Sequence, residues 1–182
     1  MIKAVIFDMD GVLIDTEPLH YRCWKEILKE HYDVEFDYDI YLPCIGSTRQ
    51  FFRDLVKEHY GVDFPDLDEM NRIMKVKKSQ IVKAEGFPEM PGVENALKQL
   101  KEMGYKLAVA SSSPESEIMD AMTRLGLMPY FDSITSGDHV EHPKPEPDTF
   151  LLAAERLNVP TDNCLVIEDS TNGGRAALAA KM

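Results

Sequence analysis

An apolar run followed by two closely spaced acids lies near the start of the sequence, in Val5-Ile6-Phe7-Asp8-Met9-Asp10-Gly11-Val12. Its apolar residues predict a buried strand that ends at the first of two carboxylates. Residues two positions apart in an extended chain point the same way, so Asp8 and Asp10 can face one small volume. Two buried like charges repel each other unless a cation or a proton lies between them, and Mg2+ prefers oxygen ligands. The spacing therefore predicts a divalent cation site where this strand ends.

The composition limits the classes of partner. The 182 residues suit one domain with an insertion, and the net charge of −12 argues against nucleic acid and against an anionic membrane as partners. No basic segment precedes a long apolar run, so we expect neither a signal peptide nor a membrane span. The cysteines, Cys23, Cys44 and Cys164, are scattered and odd in number, which is typical of reduced thiols in a cytoplasmic protein.

Two patterns of hydrophobic spacing divide the chain. Helical periodicity continues through residues 16–86, with helix starts predicted at Thr16, at Ser47 or Thr48, and near Asp68. Strands then alternate with helices, which indicates a parallel α/β sheet. The predicted later strands are Lys106–Ala110, Phe131–Thr135 and Cys164–Ile167. We therefore predict a Rossmann-like core from residues 1–15 and 87–182, interrupted by an inserted helical module.

Polar residues gather where the predicted strands end. In open parallel sheets, ligands bind beyond the carboxyl ends of the strands. The candidates at that edge are Asp8, Asp10, Ser111 with Ser112 beside it, Lys144, Glu168 and Asp169. Because they would all lie at one edge of the sheet, we expect them to form one site.

Those groups suit phosphoryl transfer, in which catalysis is mostly positioning and charge neutralisation. Asp8 would attack phosphorus and form an aspartyl phosphate, and Asp10 would protonate the leaving oxygen and then activate the next nucleophile. Ser111 would donate a hydrogen bond to the phosphoryl group, and Lys144 would neutralise charge. The predicted ligands of Mg2+ are Asp8, Asp10, Glu168 and Asp169.

Four segments together resemble the motifs of a known family. FDMDGVLIDTE, VASSS, PKPEP and IEDS resemble the four motifs of the haloacid dehalogenase superfamily of phosphohydrolases, particularly its small phosphatases and β-phosphoglucomutases. The resemblance implies that Asp8 is the nucleophile, Asp10 the acid/base and Lys144 the catalytic lysine. By the same resemblance, Ser111 is the phosphate-binding hydroxyl, and Asp169 with Glu168 beside it holds the metal. It also implies that residues 16–86 form a cap that closes over the site and selects the substrate.

The helical module holds weaker candidates for substrate binding. His20 resembles a histidine of the β-phosphoglucomutase group, and Gly46-Ser47-Thr48-Arg49 resembles the cap segment that carries a phosphate-binding arginine there. Lys77 would assist Arg49. The alternatives are a partly exposed helix histidine, a solvated arginine at a helix start and a charged helix face in water.

One departure from the family concerns the end of the sequence. Family members continue with a further core strand, whereas this chain stops at Met182. The resemblance thus implies that a C-terminal edge strand is missing and that the fourth strand is an exposed edge, which lowers stability or promotes pairing with another chain. We expect a monomer or a weak dimer.

The function expected first is a Mg2+-dependent phosphatase acting on a small phosphorylated metabolite, such as a sugar phosphate. The first alternative is a β-phosphoglucomutase-type phosphomutase that uses the same aspartyl phosphate. The second is a truncated, catalytically inactive protein of the same fold. A dehalogenase is disfavoured because it needs no metal, which would leave the Glu168–Asp169 pair unexplained.

Overall fold

A computed structural model describes residues 1–45, 47–64 and 66–182. Gly46, the first residue of the segment compared above with a phosphate-binding cap segment, lies outside the described residues. The chain divides into two compact units. One, the core unit, comprises Met1–Asp15 and Phe87–Met182, and the other, the helical unit, comprises Thr16–Gly86.

The helical unit contains α1 (Thr16–Tyr32), α2 (Tyr38–Tyr41), α3 (Arg49–Tyr60) and α4 (Leu67–Glu85). The side chain of Thr48 caps α3 by accepting a hydrogen bond from the Phe51 amide, as the sequence predicted for Ser47 or Thr48. Aromatic packing forms the centre of the unit, where Trp24 stacks on Phe52 with 4.4 Å between ring centroids.

The core unit is built on a parallel sheet, which confirms the predicted α/β class. Its strands are β1 (Ala4–Phe7), β2 (Lys106–Ser111), β3 (Ser133–Ser136) and β4 (Cys164–Ile167), in the order β3-β2-β1-β4. The helices of this unit are α5 (Val93–Glu102), α6 (Glu115–Arg124), α7 (Asp148–Leu157) and α8 (Thr171–Ala179).

Helices cover both faces of β1. Alternate residues of a strand point to opposite faces, so Ala4 and Ile6 pack with Phe150 of α7, whereas Val5 and Phe7 pack against residues of α5 and α6. All four strand residues are buried. A continuous apolar run is the expected sequence for a strand that is covered on both sides.

Some boundaries differ from those predicted. The tetrapeptide helix α2 was not among the predicted helix starts, and α8 begins at Thr171, where the Ser170 side chain accepts from the Gly173 amide. Within the part of the chain that the structure describes, β4 pairs only with β1, and its Leu165 is 47% exposed. Among the described residues, no helix combines the length and the apolar character needed to cross a membrane.

Candidate active site

The strand register brings the candidate residues to one edge of the sheet. Phe7 at the end of β1 is level with Val109 of β2 and with Ile167 of β4. Asp8 and Glu168 therefore leave neighbouring strands at the same height, and Ser111 ends β2 on the other side of β1. The amide of Asp8 donates to the Ile167 carbonyl at 2.9 Å, which fixes the backbone at this point.

Lys144 joins these strand ends through its ammonium group. Nζ donates to Asp8 Oδ1 at 2.6 Å, to Glu168 Oε1 at 3.0 Å and to the Ala110 carbonyl at 3.0 Å. All three ammonium donors are thus used, and the side chain is only 5% exposed. A buried cation with this many partners holds both carboxylates in fixed positions.

Burial and charge shift the titration of two acids. Burial raises the pKa of Asp8 from 3.8 to about 6, although the neighbouring Lys144 opposes this change. Burial also raises the pKa of Asp169, and the Glu168 carboxylate adds to that increase. Each shift means that the ionised form is less stable, relative to the protonated form, than it would be in water, and a bound cation would offset this.

Three carboxylates form a potential cation site. Asp8, Glu168 and Asp169 each offer an oxygen, and these oxygens lie within 4.8 Å of one another. Hard oxygen donors of this kind fit Mg2+. Gly11 leaves the space that Asp169 occupies, because a Cβ at that position would lie 2.0 Å from Asp169 Oδ2. The side chain of Asp10, which the sequence predicted as a fourth ligand, is not part of this cluster.

The three serines after β2 have different environments. Ser111 is buried, and its Oγ accepts from the Ser113 amide at 3.1 Å, so its own hydroxyl proton remains available to a ligand. Ser112 is exposed. Ser113 Oγ donates to Asp10 Oδ2 at 3.0 Å.

Ser113 was not among the predicted site residues. It directly precedes Pro114, which occupies the N-cap position of α6 without a side-chain cap. The signal available was its place in the VASSS segment, but Asp10 lies 103 residues away in the chain.

The three candidate residues of the helical unit differ in their exposure to solvent. His20 is half-buried on α1, and Arg49 is exposed at the first position of α3. Lys77 is buried, and its Nζ donates to the two carboxylate oxygens of Glu30 at 2.7 and 2.6 Å. The ammonium group of Lys77 is therefore already paired with Glu30 of the same unit, as expected for a lysine with a structural role.

The core site combines groups that act together on phosphate esters. A carboxylate held by a lysine can attack phosphorus, a hydroxyl can bind a phosphoryl oxygen, and a further carboxylate can exchange a proton with the leaving group. These are the requirements of phosphoryl transfer through a covalent intermediate.

Relatives with known names share most of their length with this chain. A phosphorylated carbohydrates phosphatase of Thermotoga maritima is 37% identical over 98% of this chain and 82% of its own sequence. A β-phosphoglucomutase of Bacillus subtilis is 32% identical over 100% of this chain and 81% of its own.

Similarity of fold extends over the same length. A Thermotoga maritima crystal structure, provisionally described as a β-phosphoglucomutase, has a TM-score of 0.82 and 35% identity, covering 100% of this chain and 82% of its own. The profile of the haloacid dehalogenase-like hydrolases matches residues 5–182. With its sheet topology, its clustered strand-end acids and this match along nearly its whole length, the chain belongs to the haloacid dehalogenase-like hydrolase family.

Proposed function

We propose that the protein is a Mg2+-dependent phosphatase that hydrolyses a small sugar phosphate through an aspartyl-phosphate intermediate. The observation that carries this proposal is the contact of Lys144 with both Asp8 and Glu168, beside Asp169. The name of the phosphatase from Thermotoga maritima supports a phosphorylated carbohydrate as the substrate class.

Asp8 is the proposed nucleophile. Lys144 binds its Oδ1, which leaves Oδ2 to attack phosphorus. Asp8, Glu168 and Asp169 would hold Mg2+, which when bound supplies positive charge that reduces repulsion between the attacking carboxylate and the phosphate. Ser111 donates its hydroxyl proton to a phosphoryl oxygen, and Ser112 lies beside it.

Asp10 is the proposed acid/base. It gives a proton to the leaving oxygen when the bond from phosphorus to the sugar oxygen breaks, and it then takes a proton from the water that attacks the aspartyl phosphate. The products are the free sugar, inorganic phosphate and the restored Asp8 carboxylate.

A panel of sugar phosphates that includes β-glucose 1-phosphate tests this proposal. Free phosphate and glucose 6-phosphate are both followed with Mg2+ present. We expect phosphate release that Asp8→Ala abolishes and that Asp120→Ala, which removes a surface carboxylate paired with Arg124, leaves intact. Folded protein that forms neither product would contradict the proposal and favour an inactive protein.

A phosphomutase is the second candidate, because the Bacillus subtilis relative carries that name. A mutase needs a second phosphate site, and the exposed Arg49 has the planar donors that bind phosphate in bidentate fashion. Accumulation of glucose 6-phosphate in place of free phosphate would establish this activity. Arg49→Ala should then reduce turnover of a bisphosphate more than hydrolysis of a monophosphate.

A further inference from the structure

The hydroxyl of Ser113 connects the end of β2 with the acid of β1. Ser113 Oγ donates to Asp10 Oδ2 at 3.0 Å, although the two residues are 103 positions apart. The contact exists because β1 and β2 are adjacent in the sheet and the chain turns after each. It lies beside the cluster of carboxylates that would hold the cation and does not belong to it.

Ser113 is itself held at both of its backbone polar groups. Its amide donates to Ser111 Oγ at 3.1 Å, and its carbonyl accepts from Ser136 Oγ at 2.7 Å. Ser136 is completely buried at the end of β3, where its amide donates to His139 Nδ1 at 3.1 Å. The backbone of Ser113 is thus anchored to two neighbouring strands, which restricts where its hydroxyl can point.

Anchoring of this kind has a chemical consequence for Asp10. A carboxylate has two equivalent oxygens and turns readily about its side-chain bonds, so a proton on it can point in several directions. A donor fixed on Oδ2 stops this rotation and leaves Oδ1 as the oxygen that exchanges a proton. General acid catalysis depends on such alignment, because small displacements of the acid cost large factors in rate.

We propose that Ser113 is a positioning residue that orients Asp10 for proton transfer to the leaving oxygen. This inference rests on the proposed function of Asp10. The effect of the Ser113 hydroxyl on the rate should therefore depend on the substrate. It should be largest when the leaving group needs a proton and smallest when the leaving group is already stable as an anion.

Two aryl phosphates of similar shape, which differ in the basicity of the leaving group, can be used to compare these two kinds of substrate. Phenyl phosphate has a basic leaving group that needs protonation, whereas p-nitrophenyl phosphate has a much less basic one. The quantity compared is kcat/KM, which covers only the steps up to formation of the phosphoenzyme. We expect Ser113→Ala to lower kcat/KM by about tenfold or more for phenyl phosphate and by less than about threefold for p-nitrophenyl phosphate.

The best sugar phosphate from the panel provides a second readout. With it, the loss in Ser113→Ala should fall on kcat while KM stays within about twofold, because the hydroxyl orients the acid and does not bind the sugar. Ser113→Thr, which keeps a hydroxyl, should recover most of the loss. Ser116→Ala, on the exposed side of α6, is the matched control and should behave as wild type.

Three results would overturn the inference. They are an equal loss for both aryl phosphates, a rise in KM for the sugar phosphate with kcat preserved, and full activity of Ser113→Ala. Melting temperatures of all variants identify a loss that comes from unfolding. Failure of the proposed phosphatase function would look different from failure of this inference, because wild-type protein would then release no more phosphate than Asp8→Ala.

Discussion

Lys144 determines the charge balance of the site. Its single positive charge faces the buried carboxylates of Asp8 and Glu168, and Asp169 lies in the same cluster. When ionised, three carboxylates against one ammonium leave two negative charges uncompensated. A divalent cation matches this deficit, and burial, which raises the pKa of Asp8 to about 6, also disfavours its negative charge in the absence of a cation. The charges of four side chains therefore favour Mg2+ at this position.

We expect the affinity for Mg2+ to fall as the pH is lowered below about 6. The proposed cation would bind the ionised form of Asp8, whose pKa is raised from 3.8 to about 6, so below this value binding would have to displace a proton. The raised pKa of Asp169 acts in the same direction. Titration calorimetry should give a Kd about tenfold weaker near pH 5 than near pH 7, with little change above pH 7.

A matched variant shows whether this dependence belongs to the site. Asp120→Asn removes a surface carboxylate and should retain the same pH dependence, whereas Asp169→Asn should bind Mg2+ weakly throughout. An affinity that is constant between these pH values would contradict the assignment of Asp8 as a ligand.

Among the elements of the fold, α8 supports the site through its first turn. Glu168 Oε2 accepts from the Ser170 amide at 2.6 Å, while Oε1 accepts from Lys144. The carboxylate lies against Gly173, where an added Cβ would come within 1.6 Å of Oε1. Gly174, the next residue, has no neighbour within 4 Å of an added Cβ. Two adjacent glycines on one helix thus have different physical roles.

Gly173→Ala should damage the site, whereas Gly174→Ala should not. The methyl group at position 173 displaces the Glu168 carboxylate from Lys144, so we expect Mg2+ binding weakened by at least about tenfold and a lower melting temperature. The methyl group at position 174 enters open space and improves helix propensity by about 1 kcal/mol, which should raise the melting temperature. Equal effects of the two substitutions on Mg2+ affinity would contradict this account.

Features that depend on residues close together in the sequence could be predicted, whereas contacts between residues far apart in the sequence could not. The strands and their polar ends were predicted because apolar runs and the residues that follow them are local signals. α2 was missed because Tyr41 is buried against α1, where Tyr21 contacts its ring and Glu17, 24 positions away, accepts from its hydroxyl. The partners of Ser113 and Lys77 were missed for the same reason: 103 and 47 residues separate them from Asp10 and Glu30. The roles of the site residues stay predictions.

The stability of the two compact units can be followed by different signals. The sequence contains one tryptophan, Trp24, which is buried in the core of the helical unit. The carboxylates proposed to bind Mg2+ all lie in the core unit. Tryptophan fluorescence therefore reports on the helical unit, whereas the proposed cation site lies in the core unit.

Mg2+ should stabilise the core unit more than the helical unit. A ligand at 100 times its Kd adds about 2.7 kcal/mol to the state that binds it. We expect this stabilisation to increase the hydrogen-exchange protection of β1 in the core unit. The urea midpoint of the helical unit, followed by Trp24 fluorescence, should shift less. Asp169→Ala should remove the gain in β1. Equal stabilisation by both measures would show that the two units unfold together.

The central place of β1 in the sheet has a consequence for the order of events during synthesis. Ala4 lies level with Lys106 on one side and with Cys164 on the other. β1 can therefore pair on both sides only after β2 and β4 have been synthesised. At typical translation speeds the second neighbour follows roughly 10–30 s later. Thr16–Gly86 is continuous and can fold in that interval. The apolar β1 segment thus stays unpaired in the nascent chain until its neighbours are made, and exposed apolar segments of this kind are prone to aggregation.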